Sequence, residues 1–500
     1  MIQRARKFAA GRSSVPRRTA GVSIAFAYAL FAQTPARLLE PADCPFAGEA
    51  WAARANAECR WLVVPESRAR NNGADVRLFV VVLRADSPAA LPPIVMLHGG
   101  PGQSALIPMV RGAATAAARD RDRVFYDQRG AGLSEPDPCP VYTRRTQELT
   151  HGLAAYEART DDRSALVQVA RECVAGMRAR GLDPAAWNTA ANVEDLADLR
   201  RALGYERWDI YGASYGARLA LEAMRHDPQG IRSVVLENPF PPGAESESAL
   251  ATQYALQRVF ASCARSDACN TAFPALEQRF DAVYDTLSRT PLSIPRSDGL
   301  TSNATLDGDG LVLAVRRTLR TREGISSLPL LLSELQSGDR QRAGRELVQL
   351  QESTGLAPRA VFWLVQCYDE YGDDYLARLE DVRARAARPF RNLRDNLQEC
   401  PIWQTRSAPP ESRDAVESDI PALILTGEFD ARTPVEFGRQ IATTLSHAYV
   451  FEFPGETHGG RPAPCRASVL AQFLADPRHR PDASCITRMP QFEFRTAWSP

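Results

Sequence analysis

The stretch that most constrains the fold is Gly212-Ala213-Ser214-Tyr215-Gly216. Arg207-Trp208-Asp209-Ile210 before it reads as a short buried strand, and residues 217–224 after it read as an amphipathic helix. A Gly-x-Ser-x-Gly pattern at a strand-to-helix junction demands a turn so tight that only glycine fits on either side of its centre. Such a turn lifts the serine hydroxyl clear of the sheet and aims the backbone N–H of Tyr215 at an oxyanion developing beside it.

The rest of the chain supplies a sheet for that junction to belong to. Residues 61–64, 76–83, 94–97, 123–126 and 233–236 read as short apolar strands, with helical patterns at 113–120, 162–180 and 192–203. Alternation of this kind implies a mostly parallel central sheet with helices on both faces, an α/β fold. It stops near Pro239-Phe240-Pro241-Pro242, and from about 244 to 405 the patterns are helical, with no strand expected. Strands return at 422–425 and 449–453, with helices at 434–446 and 466–475. The chain therefore divides into a first core part (37–240), a helical cap insertion (241–410) and a second core part (411–500), the cap sitting over the strand C-termini.

Ahead of the core, Arg4, Arg6, Lys7, Arg12, Arg17 and Arg18 precede the apolar run 20–32, which is too short to span a bilayer comfortably. Residues 1–36 are thus predicted to be a signal peptide, a retained anchor being the alternative, which implies a secreted or periplasmic protein without stable membrane insertion after cleavage. The 10 cysteines agree with an oxidising compartment, and pairing of chain neighbours (44–59, 139–173, 263–269, 367–400, 465–485) is expected. None has zinc-ligand spacing, so no metal or cofactor is predicted. A formal net charge of zero argues against nucleic acid or an anionic membrane as the main partner. Lys7 is the sole lysine, which removes Schiff-base, P-loop-lysine and Ser–Lys chemistry from the mature chain.

A serine nucleophile needs a base to take its proton and a third group to orient that base. The two returning strands each end in a suitable residue: Thr426-Gly427-Glu428-Phe429-Asp430 and Pro454-Gly455-Glu456-Thr457-His458-Gly459. Asp430 then orients and His458 is the general base, in the chain order serine, acid, histidine of α/β-hydrolases. Glu428 is the competing acid. The loop His98-Gly99-Gly100-Pro101-Gly102 can bring backbone N–H groups close to a reacting atom, while His98 itself is expected to stabilise that loop.

That loop, together with Asp127-Gln128-Arg129-Gly130-x-Gly132-x-Ser134, Gly212-x-Ser214-Tyr215-Gly216 and the Asp430…His458 ending, resembles the proline iminopeptidase family of α/β-hydrolases. With its cysteines and expected export, the chain looks most like the tripeptidyl aminopeptidase branch of those serine exopeptidases. The resemblance covers roughly residues 44–240 and 415–490. It implies a Ser214–His458–Asp430 triad, an oxyanion hole from the N–H groups of Gly100 and Tyr215, and a peptide substrate losing N-terminal residues. Aminopeptidases of this family hold the free α-amine with carboxylates near the cap. Glu237 directly follows a strand, and Asp369 and Glu370 lie in the cap beside Cys367, so these three are the candidates for an ammonium site. An esterase or amidase with the same triad, acting on substrates without a free amine, is the alternative.

Overall fold

The computed structural model describes residues 39–498 apart from 71–73, 87–88, 90, 115–119, 143, 146–159, 245–247, 296–303, 353–358, 394–398 and 461–462. The expected signal peptide lies outside the described residues.

Nine strands form one sheet: β1 (Leu39–Pro41), β2 (Ala57–Pro65), β3 (Asp75–Leu83), β4 (Ile94–Leu97), β5 (Arg123–Tyr126), β6 (Trp208–Ala213), β7 (Ile231–Glu237), then, after the small pair β8 (Leu292–Ile294) and β9 (Ala304–Leu306), β10 (Ala422–Gly427) and β11 (Ala448–Phe453). Their order is β1-β2-β3-β5-β4-β6-β7-β10-β11. The first four strands in that order pair antiparallel, and every pairing from β5 to β11 is parallel. The protein thus has an α/β-hydrolase fold with a mostly parallel sheet.

The β3 run Val80-Val81-Val82 shows why both faces must be covered. Val80 and Val82 join Leu196, Leu199 and Leu219 from helices on one face, whereas Val81 packs with Leu106 and Val110 of the helix Leu106–Ala114 on the other. That helix begins seven residues before the pattern placed at 113–120, of which 115–119 are outside the described residues.

The chain leaves the sheet after β7 and returns at β10. Between them run the helices Ala249–Arg265, Leu276–Arg289, Gly308–Thr318, Arg322–Ser337, Arg340–Glu352, Ala360–Glu370 and Tyr375–Arg385. The absence of strands expected there needs correcting, because β8 and β9 form an antiparallel pair. At three residues each, they carry too little alternation to be read from sequence.

Four disulfides join chain neighbours as expected: Cys44–Cys59, Cys263–Cys269, Cys367–Cys400 and Cys465–Cys485. The fifth expected pair is not closed. Cys139 and Cys173 are both buried thiols, joined by a hydrogen bond between their sulfurs. Among the described residues no helix is long and apolar enough to cross a membrane.

Candidate active site

The parallel register aligns the strand ends. Leu97 at the end of β4 pairs with Gly212, Ala213 pairs with Glu237 at the end of β7, and Leu425 of β10 pairs with the same glutamate. Every loop named from the sequence therefore leaves the sheet along one edge.

Ser214 sits on the elbow between β6 and the helix Tyr215–His226, at φ 55° and ψ −118°, a conformation that non-glycine residues rarely adopt. The flanking glycines explain how so sharp a turn is possible. A Cβ on Gly212 would lie 2.3 Å from the Gly216 carbonyl oxygen, and one on Gly216 would lie 2.1 Å from that of Leu97. The Ser214 N–H donates to the Glu237 carbonyl at 2.9 Å, tying the elbow to β7.

His458 Nε2 is 2.9 Å from Ser214 Oγ, and its Nδ1 is 2.8 Å from Asp430 Oδ2. Asp430 is buried, and donors surround it: the N–H groups of Arg432 (2.8 Å) and Thr433 (3.0 Å) reach Oδ1, while the Thr433 hydroxyl (2.8 Å) and the Asn238 amide reach Oδ2. Burial alone would raise its pKa, but His458 and these donors outweigh burial and hold the carboxyl below the ordinary aspartate value. An ionised Asp430 fixes the proton of His458 on Nδ1 and leaves Nε2 free to accept one from Ser214. The competing acid, Glu428, points elsewhere: its Oε2 accepts from the Gly455 N–H at 2.8 Å.

Gly99 passes close beside the elbow, where an added Cβ would be 3.0 Å from Ser214 Cβ and 3.5 Å from Oγ. Gly100, next in that loop, has φ +130°. Tyr215 is the first residue of its helix, so its N–H has no partner within the helix. His98 braces the loop through Nδ1, 3.0 Å from the Gly99 carbonyl oxygen, its Nε2 lying 3.4 Å from Asp127 Oδ1, and the Gln128 amide donates to the His98 carbonyl at 3.1 Å. Asp127 in turn accepts from the Leu133 N–H (2.8 Å) and the Ser104 hydroxyl (3.2 Å).

The three carboxylates proposed for an ammonium do not share one environment. Glu237 already has a cation beside it: Arg466 donates to its Oε1 at 2.8 Å, and the Tyr211 hydroxyl donates to its Oε2. The same guanidinium also holds Glu456, two residues before His458. Asp369 and Glu370 end the cap helix Ala360–Glu370 and are buried. Asp369 accepts from the backbone N–H and the hydroxyl of Thr189, and that hydroxyl lies 2.8 Å from the Tyr215 hydroxyl. Glu370 Oε2 is buried and meets no hydrogen-bond partner among the described residues. Burial pushes Asp369 up to about 6 and Glu370 up to about 7, against the opposing pull of Arg218. Both carboxyls therefore gain from a cation brought to them.

Asn238, Thr433 and Thr189 are site residues that sequence reasoning missed. Their signal is faint: Asn238 merely follows Glu237, and Thr433 reads as the start of a helix.

Comparison with known proteins finds similarity to α/β-hydrolases. The profile of the alpha/beta hydrolase fold family matches residues 92–273, and that of the TAP-like protein family matches residues 389–485. A proline iminopeptidase from Heyndrickxia coagulans is 26% identical over 147 residues, 29% of this chain and 35% of that protein. The serine protease Hip1 of Mycobacterium bovis is 26% identical over 446 residues, 80% of this chain and 81% of Hip1. The crystal structure of a proline iminopeptidase from Mycobacterium smegmatis is 18% identical with a TM-score of 0.38, covering 84% of this chain and 98% of that one.

Proposed function

We propose that this chain, which belongs to the proline iminopeptidase and TAP-like family of α/β-hydrolases, is an exported serine exopeptidase that releases residues from peptide N-termini. The observation that carries the reading is the hydrogen-bonded series Ser214–His458–Asp430 at the strand ends.

In this mechanism Ser214 Oγ attacks the scissile carbonyl carbon while its proton passes to His458 Nε2. The resulting oxyanion accepts from the N–H groups of Gly100 and Tyr215. Collapse breaks the C–N bond, His458 returns the proton to the leaving amine, and the acyl group remains on Ser214. Water, deprotonated by His458, then attacks the ester and releases the acyl product. Asp430 keeps the imidazole oriented and stabilises it while it is protonated.

Asp369 and Glu370 receive the substrate's α-ammonium in this reading. Support comes from their burial, from the unpartnered Glu370 Oε2, and from the path through Thr189 to Tyr215, the residue next to the nucleophile. Glu237 is left as a structural partner of Arg466. The four disulfides support folding in an oxidising compartment, in keeping with export.

The deciding experiment compares aminoacyl- and peptidyl-chromogens carrying free or acetylated N-termini. Turnover should require the free amine and vanish in Ser214→Ala. Equal turnover of blocked substrates would identify an esterase or amidase instead, and undiminished activity in Ser214→Ala would remove the triad assignment.

A further inference from the structure

The loops that carry Asp430 and His458 are laced together before any other part of the molecule reaches them. Glu428 N–H donates to the Phe453 carbonyl (3.1 Å), Phe429 N–H to the Glu456 carbonyl (2.9 Å), and Gly455 N–H to Glu428 Oε2 (2.8 Å). Two side chains from distant parts of the sequence then close over this lacing. Arg322, in the first turn of the cap helix Arg322–Ser337, donates from Nη1 to the Gly455 carbonyl at 2.7 Å. Phe492, from the irregular C-terminal segment, sets its ring edge-on to Phe429 at 5.0 Å, and the Arg322 guanidinium lies 4.5 Å from the centre of the Phe492 ring.

The fit leaves no slack. Gly455 has φ +67°, and a Cβ there would lie 2.7 Å from Arg322 Nη1 and 2.9 Å from Phe492 Cδ2. Phe429 and Phe492 are both buried, in the same apolar cluster as the cap helices. The C-terminal segment is itself fastened to the cap: Arg495 N–H donates to the Ser326 carbonyl (2.8 Å), the Ser326 hydroxyl to the Glu493 carbonyl (2.9 Å), and Arg342 lies over the Trp498 ring (4.2 Å). Cys465–Cys485 ties the start of the same segment to the last core helix.

We propose that Arg322 and Phe492 are positioning residues that fix the Asp430 loop against the His458 loop, so that seating of the cap and C-terminal segment sets the geometry of the proton relay. Neither touches substrate. The sheet delivers the two loops to the same edge, and among the described residues their backbones are joined beyond it by Glu428 to Phe453 and Phe429 to Glu456, short of His458 itself. Gly455 stands three positions before His458, and Phe429 one before Asp430, so a shift of either is passed to an imidazole or carboxylate whose alignment the relay needs. The inference rests on the serine-hydrolase reading above.

The test uses the full chain and the rate at which a small fluorophosphonate labels Ser214, a reaction that reports nucleophile activation and needs no peptide. Phe492→Ala should slow labelling, and Arg322→Met, which keeps the apolar stem and loses the donor, should slow it too. Displacements on the order of 1 Å justify an expectation of roughly ten- to a hundredfold. The double variant should be no slower than the worse single, since both act on one clamp, and Phe492→Tyr and Arg322→Lys should restore most of the rate. Wild-type labelling rates in both Phe492→Ala and Arg322→Met, with only the unfolding temperature lowered, would overturn the clamp. Should Phe492→Ala fail to fold, Arg322→Met decides alone by the same rate. A wild-type protein that is not labelled at all would instead overturn the serine-hydrolase reading, and the clamp with it.

Discussion

Thr433 holds Asp430 twice, with its backbone N–H on Oδ1 at 3.0 Å and its hydroxyl on Oδ2 at 2.8 Å. The same hydroxyl has a single proton to donate, with the Asn238 carbonyl at 2.8 Å the other acceptor in reach, and its oxygen lies 3.2 Å from the protonated His458 Nδ1. It therefore sits where the carboxylate and the imidazole meet, and it helps keep Asp430 ionised despite complete burial.

Thr433→Val keeps the shape and removes that hydroxyl. A hydrogen bond to a charged group contributes about 1.5–3 kcal/mol, so kcat should fall roughly ten- to a hundredfold. KM should change little, because Thr433 is aimed at Asp430 and not at the substrate. Steady-state kinetics with a peptidyl-chromogen check this, and an unchanged kcat would show that Asn238 and the backbone donors suffice.

Arg466 lies between two buried carboxylates, Glu237 and Glu456. Arg466→Met leaves both without their cation, and uncompensated buried charge typically costs about 3–5 kcal/mol. Denaturant unfolding should register that loss. Glu237→Gln is milder, since Arg466 keeps Glu456, and KM for free-amine substrates should stay near the wild-type value. A large rise in KM confined to those substrates would return Glu237 to the ammonium site.

The elbow glycines make a stricter demand. Gly216→Ala would place a methyl 2.1 Å from the Leu97 carbonyl oxygen, a contact that backbone cannot yield without moving β4. The variant should lose more than about 4 kcal/mol or fail to accumulate as folded protein, judged by circular dichroism and unfolding midpoint.

These residues differ in how plainly the sequence announces them. The elbow was legible because a local backbone constraint, two glycines around a serine between strand and helix, leaves a local pattern. Asp430 and His458 were legible because each directly follows an apolar run, and parallel strands bring such ends together. Glu237 looked equivalent by the same rule, being also a carboxylate at a strand end. What distinguishes it is Arg466, 229 positions away, and no spacing in the sequence exposes that pairing. Thr189 and Phe492 are obscure for the same reason: their partners are set by how the cap and the C-terminal segment pack.

Asp369 and Glu370 give the pH dependence a definite sign. Burial raises both, to about 6 and about 7, so each binds its proton more tightly than in the unfolded chain. Their contribution to stability is thus present in full below the unfolded carboxyl values and is lost as pH rises through 6 to 7. Substrate binding runs the other way, because an α-ammonium pairs only with the ionised carboxylates. KM for free-amine substrates should therefore fall between pH 5 and pH 8, across the window set by values of about 6 and 7. Glu370→Gln cannot ionise, so it should raise KM at pH 8 and flatten most of this dependence, while the rate of Ser214 labelling by a fluorophosphonate stays the same. If KM keeps its wild-type pH profile in both Asp369→Asn and Glu370→Gln, the ammonium is held elsewhere. The buried pair would then be only a junction between the cap and Arg218 of the elbow helix.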